Sequence, residues 1–438
     1  MRQKRLFFLL VILLSFGCAS TRLYEDAVYN KSNVWLDIDR LVSRDFATYQ
    51  DLLREPLLKV WKQRAVDKKV SAGLFADPDK IVQALLPKDG KPVGGEKDCE
   101  KTLGVILLLH GLYDSPYTMK DLGEVFNKQC FATRYLLLPG HGTQTGDLRY
   151  TKMEDWVRTV RFAVKTVKKD YHGQDIYLAG FSTGGALAIH QAMEDDSIKA
   201  LFLFAPLLDR KMFALEGAAL VEACCEFVEK NAEVDSMKYE STTANSVIQA
   251  GRLVEKLQHG FDNGYALKIP VFVALAKNDY TVPAGKTIKL FLNGNLGDDN
   301  YIVIYSPSSV EQVAPMSCSD TKYVNITKGK LTVCNSRFFY KDKVYINDFS
   351  HMALTLKPDN EHYGLNGNYK YCSHYRSDED RDECFLPDKK RLCYGERKLR
   401  GGQHSDFCKE EQTVIRRLTA NPLFPHLEQQ LASFIGTL

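Results

Sequence analysis

The chain has 438 residues, 45% of them hydrophobic and 26% charged, with 58 Lys and Arg against 55 Asp and Glu. That length is ample for a large buried core with further segments around it. The near-balance of charge, with no polybasic tract, excludes nucleic acid or an anionic membrane surface as an electrostatically chosen partner.

Taken in chain order, Arg2, Lys4 and Arg5 precede an apolar run from Leu6 to Phe16, and Gly17 and Cys18 follow. This is the layout of a cleaved export signal over residues 1–17, and the run is too short to span a bilayer as a helix. Leu14-Ser15-Phe16-Gly17-Cys18 resembles the lipobox of bacterial lipoproteins, with Ser15 where an aliphatic residue is commoner. The resemblance implies that Cys18 is acylated and begins the mature chain, and that Ala19 after it directs sorting to the outer membrane. An ordinary signal peptide cut nearby, giving a periplasmic or secreted protein, is the alternative. Without residues 1–17 the chain holds 55 basic and 55 acidic side chains, so any membrane attachment rests on the lipid.

Residues 18–95 read as a helical arm, because Leu36, Ile38, Leu41 and Val42, then Leu52, Leu53, Leu57, Leu58, Val60 and Trp61, recur at helical spacing without strand alternation. From residue 104 short apolar runs alternate with amphipathic segments, the pattern of a mostly parallel sheet flanked by helices in the α/β class. The spacing predicts strands at Val105–Leu109, Tyr135–Leu138, Ile176–Ala179, Ala200–Phe204, Val271–Leu275 and Tyr301–Tyr305. Core segments therefore occupy 96–206 and 267–356. The stretch 207–266 is longer than an ordinary crossover and carries helical patterns, such as Ala219-Leu220-Val221 leading to Phe227-Val228, so a helical cap is expected there. Insertions are expected at 306–345 and at the polar 357–415. A closing helix in 416–438 starts at Asn421-Pro422 and carries Leu423, Leu427, Leu431, Phe434 and Ile435 on one face.

Eleven cysteines are present, and ten remain when Cys18 is set aside, an even number suited to disulfides in an oxidising compartment. Cys372, Cys384, Cys393 and Cys408 crowd into one polar stretch that cannot order itself by burial and is expected to be stapled. Cys99 and Cys130 bracket the first strand and its helix and form a further expected bridge, while Cys318 and Cys334 flank the β-like part of 306–345. Connectivity is otherwise open. No Cys-x-x-Cys pair occurs, so no metal site is expected.

The chemistry centres on Ser182. Residues 176–189, IYLAGFSTGGALAI, run from an apolar strand through Gly180-Phe181-Ser182-Thr183-Gly184 into a small-residue helix, the setting of a nucleophile elbow. A serine needs a histidine base, an acid that orients it, and two N–H donors for the developing oxyanion. His351, ahead of the final helix, is the candidate base. Asp279, just past the Val271–Leu275 strand, and Asp209, past the Ala200–Phe204 strand, are the candidate acids. The backbone N–H groups of Leu112, after the His110-Gly111 turn, and of Thr183 are the candidate oxyanion donors. His110, His141 and His190 read as structural.

Together Leu109-His110-Gly111, Leu137-Leu138-Pro139-Gly140-His141-Gly142, Gly180-Phe181-Ser182-Thr183-Gly184-Gly185, Asp279-Tyr280-Thr281-Val282 and Ser350-His351-Met352 resemble the α/β-hydrolases of the carboxylesterase and monoacylglycerol-lipase type, which include serine aminopeptidase-like members. The resemblance covers about residues 100–356 and the closing helix. It implies Asp279 as the acid, no metal or organic cofactor, and hydrolysis of short or medium acyl esters such as monoacylglycerols or lysophospholipids. The alternatives are amide hydrolysis, in which acidic cap residues such as Glu222, Glu226 and Glu229 would bind a free amine, and a non-catalytic surface binding protein.

Overall fold

The computed structural model describes residues 27–34, 38–42, 44–66, 77–95, 99–209, 225–296 apart from 232, 234, 278 and 280, 300–305, 351–364 and 419–438, and the strand backbones at 306–307, 317–321, 330–336, 338–340, 344–349, 393–394 and 414–418. The arm contributes helices α1 (Phe46–Val66) and α2 (Pro78–Leu85), then a short strand β1 (Lys88–Gly90). The body follows as β2 (Gly104–Leu109), α3 (Lys120–Lys128), β3 (Phe131–Leu136), α4 (Met153–Asp170), β4 (Ile176–Phe181), α5 (Thr183–Glu194) and β5 (Ile198–Phe204). After β6 (Phe227–Glu229) and β7 (Thr242–Thr243) come α6 (Ala244–Asp262), β8 (Val271–Ala276), α7 (Ala284–Leu292) and β9 (Asn300–Pro307). The strands β10 (Ser317–Thr321), β11 (Lys330–Ser336), β12 (Phe338–Tyr340), β13 (Val344–Phe349), β14 (Cys393–Tyr394) and β15 (Val414–Leu418) precede the closing helix α8 (Phe424–Ile435).

The main sheet has the order β1-β3-β2-β4-β5-β8-β9-β11-β10. It is parallel from β3 to β11, and the two edge strands β1 and β10 run antiparallel to their neighbours. Gly104-Val-Ile-Leu-Leu-Leu109 is buried at every position, as a strand covered by helices on both faces must be. On one face α4, α5 and α6 pack against one another. On the other, Phe126 of α3 and Phe434 of α8 both pack edge-on with Phe202, with ring centroids 4.9 and 5.5 Å away.

Several elements differ from their sequence-based expectations. The strand expected at Tyr135–Leu138 starts at Phe131, because Thr133 and Arg134 break the apolar run. Arg134 is only 2% exposed, and its charge is matched by both oxygens of Asp89 at 2.8 Å and by Asp170 at 3.0 Å. Asp89 lies in β1, a strand inside the stretch read as purely helical.

The 207–266 stretch divides. β6 and β7 pair as a short antiparallel ribbon, so Phe227 is in a strand rather than a helix. Residues 244–262 form α6, whose Ile248, Leu253, Val254 and Leu257 are buried against the body. Helical periodicity reports a buried face but not what buries it, and α6 is the crossover from β5 to β8 rather than part of a cap. Residues 210–224, with Ala219, Leu220, Val221 and Glu222, lie outside the described residues. The stretch read as an insertion at 306–345 likewise extends the main sheet through β11 and β10, and β13 pairs in parallel with β15.

Cys99 and Cys130 form a disulfide with Cα atoms 5.4 Å apart and a sequence separation of 31. Closing a loop of that size removes roughly 3–4 kcal/mol of chain entropy from the unfolded state. Cys225 is also disulfide-bonded. Cys318 stands directly opposite Cys334 in the β10–β11 register, whereas Cys18, Cys372, Cys384 and Cys408 lie outside the described residues and Cys393 is described by its backbone alone. Among the described residues no helix is long and apolar enough to cross a membrane.

Candidate active site

β4 ends on Phe181, and Ser182 turns the chain into α5 with φ 54° and ψ −118°. A residue with a Cβ adopts that conformation only where its surroundings impose it. They do so here through three backbone bonds: Ser182 N donates to Phe204 O at 2.9 Å, and Ser182 O accepts from Leu207 N at 3.0 Å and Ala186 N at 3.2 Å. Gly184 provides the clearance, since a Cβ there would lie 2.2 Å from Leu109 O. The local sequence thus lifts one hydroxyl out of a strand–helix junction and fixes it there.

The acid and base meet across 72 residues of sequence. His351 Nδ1 donates to Asp279 Oδ2 at 2.5 Å, and Asp279 Oδ1 accepts from Thr281 N at 2.9 Å and Val282 N at 2.8 Å. Asp279 is 5% exposed, and the turn that follows β8 holds its second oxygen, so the carboxylate has a support independent of the histidine. The acid bonded to His351 is therefore Asp279 and not Asp209. His351 opens the 3-10 turn His351–Thr355, and its ring packs 4.7 Å from that of Phe181, the neighbour of Ser182. Its other nitrogen, Nε2, is buried without a hydrogen-bond partner. A buried ring nitrogen left open in this way is the atom a serine proton needs.

The loop after β2 carries the candidate oxyanion donor. Leu112 N–H has no acceptor among the described residues, and Thr183 N–H opens α5, where a helix has no internal acceptor. Thr183 Oγ1 is also buried without a partner. Two histidines brace the loop. His110 Nδ1 donates to Gly111 O at 2.8 Å while Nε2 accepts from Leu138 N at 3.0 Å. His141 Nδ1 donates to Pro139 O at 3.0 Å while Nε2 accepts from Tyr113 N at 3.2 Å. Each ring thus serves as donor and acceptor in its neutral form. Burial pushes His141 down to about 4 and, with His141 beside it, His110 well below the ordinary imidazole value. His190, on α5, is buried 3.6 Å from Glu194.

Sequence reasoning missed the surroundings of this loop. Tyr239 N donates to Tyr113 O at 2.7 Å, tying segment 235–241 to the oxyanion loop. Asp235 bonds His362 Nε2 at 2.8 Å and the Tyr363 hydroxyl at 2.7 Å. From the arm, buried Arg64 donates to Thr143 O at 3.3 Å and Glu233 O at 3.2 Å, and Trp61 Nε1 donates to Gly142 O at 2.8 Å. No spacing in the sequence joins these residues; only the fold does. Of the acidic residues weighed for amine binding, Glu226 is paired with Arg149 and Glu229 ends β6. Among the described residues no group of three or more His, Cys, Asp or Glu side chains is arranged to hold a metal.

The family model for the serine aminopeptidases, S33, matches residues 100–306. That match contains Ser182 and Asp279 but ends before His351, whose assignment rests on its bond to Asp279. The chain is similar to the thermostable monoacylglycerol lipase of Bacillus sp. (strain H-257), at 26% identity over 191 residues, which cover 42% of this chain and 74% of the relative. Among solved structures it is similar to a soluble variant of monoglyceride lipase from Saccharomyces cerevisiae in complex with a substrate analog, at 14% identity and a TM-score of 0.41, covering 50% of this chain and 82% of that one. It is likewise similar to a monoacylglycerol lipase from Paleococcus ferrophilus, at 17% identity and a TM-score of 0.39, covering 50% of this chain and 88% of that one.

Proposed function

We propose that this chain of α/β-hydrolase fold is a serine hydrolase that cleaves carboxylic esters of short or medium acyl chains, monoacylglycerols and lysophospholipids among them. The observation that carries the reading is the Asp279–His351 bond of 2.5 Å, with His351 Nε2 left open beside the Ser182 elbow. The ester carbonyl receives Ser182 Oγ while His351 Nε2 takes the hydroxyl proton and Asp279 stabilises the imidazolium. The oxyanion faces the N–H groups of Leu112 and Thr183. His351 then returns the proton to the departing alcohol, leaving an acyl-enzyme, and water repeats the sequence to free the acid. A removed signal over residues 1–17 and an acylated Cys18 complete the proposal as an outer-membrane lipoprotein, supported by the N-terminal sequence alone.

Treatment with a fluorophosphonate, followed by peptide mass spectrometry, tests the site directly. The expected result is one adduct on Ser182 that is lost in Ser182→Ala. A folded protein that labels elsewhere, or not at all, contradicts the reading.

A further inference from the structure

Among the described residues, one ionisable group beside the site has no hydrogen-bond partner for its side chain. Asp114 lies two residues after Leu112 in the oxyanion loop and is 7% exposed, yet its carboxylate accepts no hydrogen bond from any described residue. Buried carboxylates elsewhere near the site are satisfied: Asp279 by His351 and two N–H groups, Asp235 by His362 and Tyr363, Glu240 by Lys238 at 3.1 Å. Its oxygens are not among the sealed, unpartnered atoms of the described interior, so a carboxylate in an otherwise buried residue stays open at this place and is available to a ligand.

Its position says which part of a substrate it meets. A Cβ added to Gly111 would lie 2.4 Å from Asp114 Oδ2 and 3.0 Å from the Phe181 ring, so the carboxylate lies over Gly111 on the side of Phe181. Phe181 in turn packs on His351, and the charges that act on Asp114 are those of Lys238, His351, Asp235 and Glu240. In ester cleavage the group next to the histidine is the departing alcohol, because His351 Nε2 hands it the proton. An open carboxyl on that flank meets the alcohol and not the acyl chain.

We propose that Asp114 is a specificity residue that hydrogen-bonds a free hydroxyl on the alcohol part of the ester, selecting polyol esters such as glycerol monoesters over simple alkyl esters. The proposal rests on the ester-hydrolase reading of the same site. Burial pushes the Asp114 carboxyl up to about 7, so near neutral pH it both accepts from and donates to a hydroxyl. A site that satisfies a buried polar group only when the right substrate is bound discriminates strongly against the analogue that lacks the hydroxyl.

The test compares kcat/KM on a glycerol monoester and on the methyl ester of the same fatty acid, for the wild type, Asp114→Ala and Asp114→Asn. Fluorophosphonate labelling of each variant reports an intact elbow. The ratio of glycerol to methyl ester activity is expected to fall about 10-fold or more in Asp114→Ala, with Asp114→Asn between it and the wild type because an amide still bonds a hydroxyl. A ratio within about twofold of the wild type in both variants overturns the assignment and leaves ester hydrolysis standing. A folded wild type inert to both esters strikes the catalytic reading, and the subsite with it.

Discussion

Ser182, Asp279 and His351 come from three separate loops, and each has at least one support outside the three. Ser182 is held by β5 and its own helix, Asp279 by the N–H groups of Thr281 and Val282, and His351 by Asp279 and Phe181. Removing the acid's charge should therefore leave the fold intact and lower only the rate. Asp279→Asn is expected to reduce kcat by about 10⁴, through the wrong tautomer of His351, while Asp209→Asn stays within about threefold of the wild type. Steady-state kinetics with matched circular dichroism decide it, and the reverse order would move the acid to the end of β5. The three residues of the proposed triad are legible as candidates in the sequence because each stands at a strand end within a local signature. Asp114 is not, since what distinguishes it is the absence of a partner, and partners are a property of the fold.

At the level of elements, the body was readable because its parallel strands are uninterrupted apolar runs, and the exceptions have identifiable causes. β3 was displaced because Arg134 stands in the middle of a buried strand, an arrangement viable only with Asp89 and Asp170 around its guanidinium. A crossover helix and a cap helix bury the same kind of stripe, so periodicity alone does not tell α6 from a cap. β10 and β11 read as an insertion in the sequence because their apolar content is low and the pairing of β11 with β9 is non-local. The arm was recognised as helical, but its role was not legible. Through Trp61 and Arg64, α1 holds the Gly142–Thr143 backbone, next to His141, which in turn holds the N–H of Tyr113. Arg64→Met should leave the carbonyls of Thr143 and Glu233 without that donor and destabilise the protein by about 3 kcal/mol. Urea unfolding measures this; a loss under about 0.5 kcal/mol would mean that water replaces the guanidinium.

Across the whole molecule, buried titratable groups pull stability in opposite directions with pH. His141 titrates near 4 in the fold against an ordinary 6.5, so the unfolded chain binds the proton first and stability falls as pH drops through that window. Burial raises Asp114 and Glu233 to about 7, so the folded chain holds their protons longer and stability falls as pH rises from about 4 to about 7. Asp114→Asn removes one of the second kind. It should stabilise the protein at pH 8 by roughly 2–4 kcal/mol and do much less at pH 4.5, read from urea unfolding at both values. An equal effect at the two values would mean that Asp114 is not ionising inside the fold. The segment around residues 231–241 has a different kind of consequence. It is fastened to the arm by Tyr29 and Arg64, 202 and 169 residues away in sequence, and to the far side of the body by His362, 127 residues away. Contacts so distant along the chain form late, after the loops between them have closed. A polypeptide emerging N-terminus first therefore presents Ser182 long before Asp279 and His351 exist. On the ester-hydrolase reading the site is therefore complete only once His351, near the end of the chain, has docked on Asp279, and the order of the chain sets the order of assembly.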